Sequence, residues 1–289
     1  LQTQPNIAII SEEVAAKKMT LAQIVEEMAV VVAARARAGM NFGVALIPEG
    51  LIEFVPEIKV LIAELNDLLA ANAAKVDAME KADKVAFANA NLSAESAKVF
   101  GSLPTGIQMQ LCNDRDPHGN VQVSLIETEK MLAEMVGTRL KQMKSEGAYD
   151  GKFSTQVHFF GYEGRCAAPS NYDADYCYSL GYNAAALIGA GKTGYMSSVR
   201  NTMLPASKWI AGGIPITMMM NIERRHGHDK PVIKKALVEL DGAPFKFFAA
   251  HRAEWAKETA YVYPGPIQYF GPAEVCDLVT RTLELEQGK

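Results

Sequence analysis

The chain has 289 residues, enough to bury one large hydrophobic core or two modest ones. Hydrophobic residues make up 49% and charged residues 21%, as in an ordinary globular protein, and no apolar run reaches the roughly 20 residues of a membrane span. The net charge of −4 argues against a nucleic-acid partner, and the four cysteines, which form no CxxC pair, are typical of free thiols in a reducing cytoplasm.

The first quarter of the chain predicts strands alternating with helices. Residues 6–10 form a short β-branched run typical of a buried strand. Thr20 with Gln23 predicts a capping box that opens an amphipathic helix. Residues 44–47 predict a second strand, so the order favours a parallel unit with a right-handed crossover. Pro56 then marks the first turn of another helix. This order is typical of a doubly wound α/β sheet.

The middle of the chain has a different composition. Residues 70–122 lack strand-like alternation, are rich in small and polar residues over their first half, and contain a loop at 113–119. We therefore expect a mostly helical insertion rather than a separate catalytic domain. Ser124 with Glu127 predicts a second capping box, which opens a helix through about Lys144.

A predicted strand then ends in a polar corner. Residues 156–160 alternate in polarity and stop at Gly161. The corner that follows consists of Tyr162, Glu163, Gly164 and Arg165. Ligands of open α/β sheets bind just beyond the carboxyl ends of strands, and a forked guanidinium suits a phosphate. The alternative is that Arg165 merely pairs with Glu163 or another carboxylate. Glu49, which follows the strand at 44–47, is a second carboxylate at a strand end.

Further along, Asp173 predicts the cap of a helix rich in small residues, and 193–199 predict a strand. The helix is expected to end in the glycines of the 189–194 segment, Gly-Ala-Gly-Lys-Thr-Gly. This segment is not a phosphate loop, because the position that needs the first glycine holds Ala186 and because the glycines follow a helix instead of opening one.

The segment 223–229, Glu-Arg-Arg-His-Gly-His-Asp, predicts a charged loop. Solvation of its two histidines is favoured over a metal site. Arg224 and Arg225 could hold a phosphate or an acidic partner, and the sequence does not choose between these.

Seven segments resemble one enzyme family, the long form of pyrophosphate-dependent phosphofructokinase (diphosphate–fructose-6-phosphate 1-phosphotransferase). They are Ser11–Val14, Gly43–Leu51, Phe159–Arg165, Pro169–Asn171, Leu180–Tyr182, Gly191–Gly194 and Pro264–Gln268. They follow the family's order along nearly the whole chain, so the sequence is identified as a member at the level of the family.

The resemblance implies a fold, a reaction and a set of site residues. The fold is α/β, with phosphofructokinase-like doubly wound sheets that carry helices on both faces, plus the helical insertion. The reaction is reversible phosphoryl transfer from pyrophosphate to the 1-hydroxyl of fructose 6-phosphate, with Mg²⁺. Glu49 is implied for the sugar hydroxyls, and Tyr162 and Arg165 for the fructose 6-phosphate end. Glu163 and Gly164 complete this binding corner.

The family's pyrophosphate loop, its Thr-Lys-Thr-Asp segment with the general base and its Met-Gly-Arg segment are not found in this sequence. The resemblance therefore implies the carboxyl-terminal part of the enzyme, with no catalytic residue and no metal ligand in this chain. We expect it to form a homo-oligomer or to pair with the missing amino-terminal part.

The implied division has four parts. Residues 1–69 and 123–165 form the sugar-phosphate-binding domain, 70–122 the insertion, 166–220 a returning segment of the pyrophosphate-side domain, and 221–289 a closing segment.

Two other interpretations stay open. A non-catalytic, regulatory subunit-like relative would bind a sugar phosphate through the same corner, and an intact Thr-Lys-Thr-Asp segment upstream would distinguish the enzyme from it. An ATP-dependent phosphofructokinase is disfavoured, because Tyr162 stands where those relatives have histidine and because an arginine near Gln156 is missing.

Overall fold

The computed structural model of the protein is rich in helices and contains small β-sheets. It describes residues 1, 3–115, 121, 125–161, 169–225, 228–233, 236–262, 270–272, 276–277 and 279–288. The chain divides into two compact units. The core unit comprises residues 5–158 and 250–260, and the hairpin unit comprises residues 1–4, 159–249 and 261–289.

The core unit begins with a parallel strand pair and continues with helices. Its elements are β1 (Ile7–Ala8), α1 (Ser11–Ala16), α2 (Leu21–Arg37), β2 (Ala45–Leu46), a 3₁₀ turn (Leu51–Phe54), α3 (Pro56–Ala71), α4 (Ala73–Val76), α5 (Lys81–Asn91), α6 (Ala94–Ser102), α7 (Thr105–Asn113) and α8 (Thr128–Ser145). Strands β1 and β2 pair in parallel, with Ile7 opposite Ala45. The predicted strand–helix–strand unit and the mostly helical character of residues 70–122 are confirmed, while their being an insertion and the larger doubly wound sheet stay predictions.

The capping box of α2 is present as predicted. The Gln23 amide donates to Thr20 Oγ1 at 3.2 Å, and the Thr20 amide donates to Gln23 Oε1 at 2.8 Å. Two of the amides that a helix start leaves without intrahelical partners are thereby satisfied. Pro56 likewise occupies the first turn of α3.

One hydrophobic core joins the helices of the core unit. Leu61 of α3, Phe100 of α6, Leu111 of α7 and Leu132 of α8 are fully buried in the same cluster. The apolar periodicity of α3 and α8 places one face of each helix in this core. Helices of the insertion thus contribute core side chains alongside those of the flanking segments.

The start of α8 differs from the prediction. The helix begins at Thr128, and Glu127 is its N-cap residue, but its side chain accepts no hydrogen bond from a backbone amide of the first turn. A capping box needs its glutamate three residues inside the helix, whereas Glu127 stands before the first turn. The predicted capping residue, Ser124, lies outside the described residues.

The hairpin unit contains one long helix and two strand pairs. Its elements are α9 (Asn171–Gly189), β3 (Tyr195–Arg200), a 3₁₀ turn (Ala206–Lys208), β4 (Ile210–Pro215), a 3₁₀ turn (Ile216–Met219), β5 (Met220–Arg225), β6 (His228–Ile233) and α11 (Arg281–Glu286), with α10 (Ala243–Lys257) contributing residues to both units. Strands β3 and β4 pair antiparallel, as do β5 and β6. The predicted strand at 193–199 is confirmed, within two residues, as β3.

Three predictions for the second half of the chain are wrong in detail. Helix α9 is capped by Ser170, and Asp173 is the third-position partner in its capping box. Residues 223–225 and 228–229 are paired strand residues and not a loop, because each lies in the antiparallel register of β5 and β6. Residues 156–160 do not form a strand. Alternating polar and apolar residues form a strand only where a neighbouring segment supplies backbone hydrogen bonds, and none of the described residues does so.

None of the helices in the described ranges is at once long and apolar enough for a membrane span.

Candidate functional site

The carboxyl ends of β1 and β2 meet at one edge of the core unit's sheet. The Ile7 amide donates to the Val44 carbonyl and the Ile9 amide to the Leu46 carbonyl, both at 3.1 Å. The two strands therefore run side by side, and the chain leaves both of them at the same edge. Such an edge is where open α/β sheets bind ligands.

Glu49 follows β2 at this edge on a turn that glycine makes possible. Gly50 has φ 77°, which is a left-handed conformation. This conformation is unfavourable for any residue that has a side chain. The Leu51 amide closes the turn by donating to the Pro48 carbonyl at 3.2 Å. Leu51 and Ile52 directly after the turn are buried and fix it to the core. The backbone of Glu49 is thus held in place while its carboxylate is exposed to solvent.

The other predicted site residues, Tyr162, Glu163, Gly164 and Arg165, lie outside the described residues. The description reaches Gly161, whose φ of 51° fits the predicted end of an extended segment. The structure therefore gives the position of Glu49 and of no other predicted site residue.

A buried carboxylate that the sequence analysis did not single out lies next to this edge. Glu13, in the first turn of α1 directly after β1, is 8% exposed. It accepts two hydrogen bonds from Arg252 of α10, at 2.6 and 2.8 Å, and a third from Lys17 at 2.6 Å. The forked geometry matches the planar guanidinium to both carboxylate oxygens.

The charge state of Glu13 follows from these contacts. Burial raises the pKa of its carboxyl, but the hydrogen bonds and positive charges of Arg252 and Lys17 outweigh burial and bring the pKa below its usual range. Glu13 is therefore ionised at neutral pH with its oxygens engaged. We assign it a positioning role, because the three donors leave it little capacity to accept a ligand.

A buried arginine, Arg35, contacts the end of α10. Its guanidinium donates to the carbonyls of Lys257 and Glu258 at 3.0 and 2.9 Å, and to Thr259 Oγ1 at 3.1 Å. These groups include carbonyls at the end of a helix, where intrahelical donors are missing and a positive charge is favourable. Arg35 Nε also donates to the Phe42 carbonyl at 3.0 Å, just before β2.

Asn6 completes the connection between α10 and the strands. Its amide donates to the Trp255 and Glu258 carbonyls, both at 2.8 Å, and its oxygen accepts from the Val44 amide at 3.1 Å. A Cβ added to Gly43 would lie 3.0 Å from that oxygen, so a side chain here would press on the Asn6 amide. Asn6 and Arg35 together fix the segment that enters β2, and hence the strand that carries Glu49.

No sequence signal marks Glu13, Arg35 or Asn6 as members of one network. Their partners on and after α10 are 221 to 252 residues away in the chain. By residue type alone, a glutamate in the first turn of a helix and an arginine in an amphipathic helix are most often exposed.

The glycines after α9 end a helix, as predicted. The Lys192 amide donates to the Leu187 carbonyl and the Gly191 amide to the Ile188 carbonyl, both at 2.9 Å. Because these amides satisfy the helix end, they are not directed at a phosphate. The segment is not a phosphate loop.

The described residues include no group of three or more histidine, cysteine, aspartate or glutamate side chains that could hold a metal ion.

The curated relatives that match this chain share one enzyme name, although no protein-family model matches it. The chain is 55% identical over 287 residues to a pyrophosphate–fructose 6-phosphate 1-phosphotransferase of Porphyromonas gingivalis, a match that covers 99% of this chain and 52% of that protein. It is 55% identical over 288 residues to the protein of the same name from Treponema pallidum, covering 99% of the chain and 50% of that protein.

Plant relatives with the same enzyme name are described as subunits. The chain is 54% identical over 288 residues to subunit beta 1 of Arabidopsis thaliana, a match that covers 100% of the chain and 49% of that subunit. The chain thus spans about half the length of the curated relatives it matches.

Proposed function

We propose that this chain, which belongs to the pyrophosphate–fructose 6-phosphate 1-phosphotransferase family, is the fructose 6-phosphate-binding part of such an enzyme. The enzyme transfers a phosphoryl group reversibly from pyrophosphate to the 1-hydroxyl of fructose 6-phosphate. The observation that supports this most directly is the 55% identity to proteins of that name over 99% of the chain. Since the match covers about half of each relative, the activity of the whole protein is part of the proposal.

Glu49 is proposed to bind the hydroxyls of the sugar. An ionised carboxylate only accepts hydrogen bonds, which suits a polyol that presents O–H donors. The turn through Gly50 supports this role, because it holds the Glu49 backbone against the buried Leu51 and Ile52 while the carboxylate stays exposed. Because the backbone is already held, binding of the sugar has to order only the side chain of Glu49.

Arg165 and Tyr162 are proposed to bind the 6-phosphate. A guanidinium can donate two parallel hydrogen bonds to phosphate oxygens, and a phenol can donate one more. Glu163 and Gly164 are proposed to complete the corner. The support for these four residues is the family resemblance of the segment that contains them.

Phosphoryl transfer also needs a general base and stabilisation of the transferred group's charge, which Mg²⁺ supplies when bound. The family resemblance implies no general base and no metal ligand in this chain, so we assign it substrate binding alone. The base, the metal ligands and the pyrophosphate loop are proposed to lie in the part of the relatives outside the match, which makes this chain the carboxyl-terminal part. The free thiols of Cys112, Cys177 and Cys276 support a cytoplasmic enzyme.

Titration calorimetry with fructose 6-phosphate tests the binding role. We expect the 289-residue chain to bind the sugar phosphate, and Glu49→Gln to weaken binding about tenfold or more, since hydrogen bonds to a charged acceptor are lost. Glu53→Gln is the matched control, an exposed glutamate four residues away, and should bind like the unchanged chain. Equal affinity of the Glu49→Gln and Glu53→Gln variants would refute the role of Glu49.

The intact mass and activity of the source protein test the reaction. We expect a species much longer than 289 residues that is active with pyrophosphate, magnesium and fructose 6-phosphate, inactive with ATP, and disabled by Arg165→Ala. A native 289-residue product that binds fructose 6-phosphate without turnover would overturn the enzyme assignment in favour of a binding subunit.

A further inference from the structure

Helix α1 of the core unit is too short to keep its position by itself. It has six residues, and isolated helices shorter than about 12 residues are marginal in water. Its N-cap residue, Ile10, supplies no side-chain hydrogen bond to the first turn. The chain leaves the helix through Lys18, whose left-handed φ of 51° is ordinarily adopted by glycine. The position of α1 therefore depends on contacts with the rest of the core unit.

Two kinds of contact hold the same turn of α1. Val14 is 3% exposed and lies in one hydrophobic cluster with Leu51 and Ile52, which begin the 3₁₀ turn that packs against α1. The polar contact is the ion pair, in which Glu13 accepts two hydrogen bonds from Arg252 at 2.6 and 2.8 Å. Because Glu13 and Val14 are adjacent, the ion pair and the apolar contact act on one place.

The 3₁₀ turn that packs against α1 directly follows the turn that carries Glu49. The Leu51 amide donates to the Pro48 carbonyl at 3.2 Å, so Glu49 lies inside a turn whose end is buried. The Ile9 amide donates to the Leu46 carbonyl at 3.1 Å, which joins the two strands just before one leads to α1 and the other to Glu49. A displacement of α1 would therefore remove the support behind the Glu49 turn.

The ion pair and the apolar contact constrain α1 differently. Hydrophobic contact is non-directional, and by itself it fixes the depth of Val14 better than the orientation of the helix. A planar guanidinium that donates to both oxygens of a carboxylate fixes direction as well as distance. The Glu13–Arg252 pair is thus the contact that orients α1 against the 3₁₀ turn.

We propose that Glu13 and Arg252 are positioning residues for fructose 6-phosphate binding, because their ion pair holds α1 against the turn that presents Glu49. These roles rest on the proposed function, since they act on the same site through Glu49. Neither residue is assigned a contact with the sugar. Glu13 is 8% exposed, and its oxygens already accept three hydrogen bonds.

Titration calorimetry of the 289-residue chain with fructose 6-phosphate at pH 7 tests the pair. We expect Glu13→Gln to weaken binding about three- to tenfold, because a misplaced acceptor forms poorer hydrogen bonds. The effect should not exceed that of Glu49→Gln, through which it acts. Arg252→Gln should weaken binding to a similar extent. The double variant should bind no more weakly than either single variant, because each single substitution already breaks the pair.

A double-mutant cycle with Glu49 distinguishes positioning from other effects. In the Glu49→Ala background, Glu13→Gln should change the affinity less than about twofold, because the acceptor that it positions is absent. In the Arg165→Ala background it should keep its full effect, because Arg165 is proposed to bind the phosphate and not the sugar hydroxyls. An undiminished effect of Glu13→Gln in the Glu49→Ala background would overturn the positioning role.

Two control variants separate positioning from lost stability and from lost charge. Ile107→Ala in α7 removes side-chain atoms from a residue that is 7% exposed, which lowers stability, but it should leave the affinity within about twofold. Glu95→Gln removes an exposed first-turn glutamate and should also bind like the unchanged chain. Equal weakening by Ile107→Ala and Glu13→Gln would show an effect of stability alone. If Glu13→Gln fails to fold, Arg252→Lys, which keeps the charge without the fork, replaces it in the same cycle.

Failure of this inference differs from failure of the proposed function. If Glu49→Gln weakens binding and Glu13→Gln does not, the proposed function stands and the positioning role is wrong. If the chain does not bind fructose 6-phosphate, or if Glu49→Gln binds like the unchanged chain, the proposed function fails and the positioning role fails with it.

Discussion

Glu13 and Arg252 are joined by a two-point ion pair that connects the first turn of α1 to α10. Arg252 Nη1 lies 2.6 Å from Glu13 Oε2, and Nη2 lies 2.8 Å from Oε1. The pair links positions 239 residues apart in the chain. Together with Asn6 and Arg35 at the far end of α10, it fixes this helix beside the strands that lead to Glu49.

Replacing Glu13 by glutamine should destabilise the protein in a pH-dependent way. The free energy of unfolding at pH 7 should fall by about 1–3 kcal/mol, less than for a fully buried pair because the Arg252 side chain is 37% exposed. The lowered pKa of Glu13 means that its contribution is present above the usual glutamate pKa and is lost as pH falls through the folded-state value. Urea unfolding at pH 7 and at lower pH measures both effects.

The control for Glu13 is Glu95→Gln, because Glu95 is also a first-turn glutamate but is exposed. It should change the urea midpoint only slightly at either pH. A Glu13→Gln effect that stayed constant from pH 7 into the acid range would contradict the ion-pair account.

Removing the Arg35 guanidinium should be more damaging. Arg35 is 3% exposed, and Arg35→Met leaves several partly buried carbonyls without this donor, at a cost of about 3 kcal/mol. Arg35→Lys should recover part of this loss, because an ammonium group keeps the positive charge but cannot reproduce the planar set of donors of the guanidinium. The midpoints of thermal unfolding of both Arg35 variants are compared with that of Arg37→Met. Arg37 is an exposed arginine that donates to the Ala148 carbonyl. Equal losses at positions 35 and 37 would argue against the helix-end role.

Adjacent residues of α3 should respond in opposite ways to truncation. Leu61 is fully buried and Val60 is 62% exposed. Leu61→Ala should lower the free energy of unfolding by about 2–5 kcal/mol through the lost transfer energy and the cavity. Val60→Ala should be neutral or slightly stabilising, because alanine has the higher helix propensity. Urea denaturation measures the free energy of unfolding of both variants. A large loss of stability in Val60→Ala would contradict the exposure of this helix face.

Local patterns in the sequence predicted local structure well. Three confirmed features depend on residues that are close together in the chain, so their spacing can be read from the sequence. They are the Thr20–Gln23 capping box, the strands β1 and β2, and the buried face of α3. The position of Glu49 after a strand was predicted for the same reason, while its role in binding stays a prediction.

Features that depend on distant partners were missed. The alternation at 156–160 predicts a strand, but a strand also needs a neighbour, which none of the described residues supplies. Arg35 carries the charge of a surface residue, and only the carbonyls after α10 explain its burial. Asp173 was predicted to cap α9, whereas Ser170 does so, because either residue type can cap a helix.

The reactivity of the cysteines offers a test that is independent of any ligand. Cys112 in α7 is 3% exposed, and burial raises the pKa of its thiol to about 11, whereas Cys177 in α9 is exposed. Since the thiolate is the nucleophile, only about one Cys112 thiol in a thousand is reactive at pH 8. Timed alkylation with peptide mass spectrometry should label Cys177 at least about 100-fold faster. In urea the two rates should converge, and equally fast labelling in the native protein would disprove the burial of Cys112.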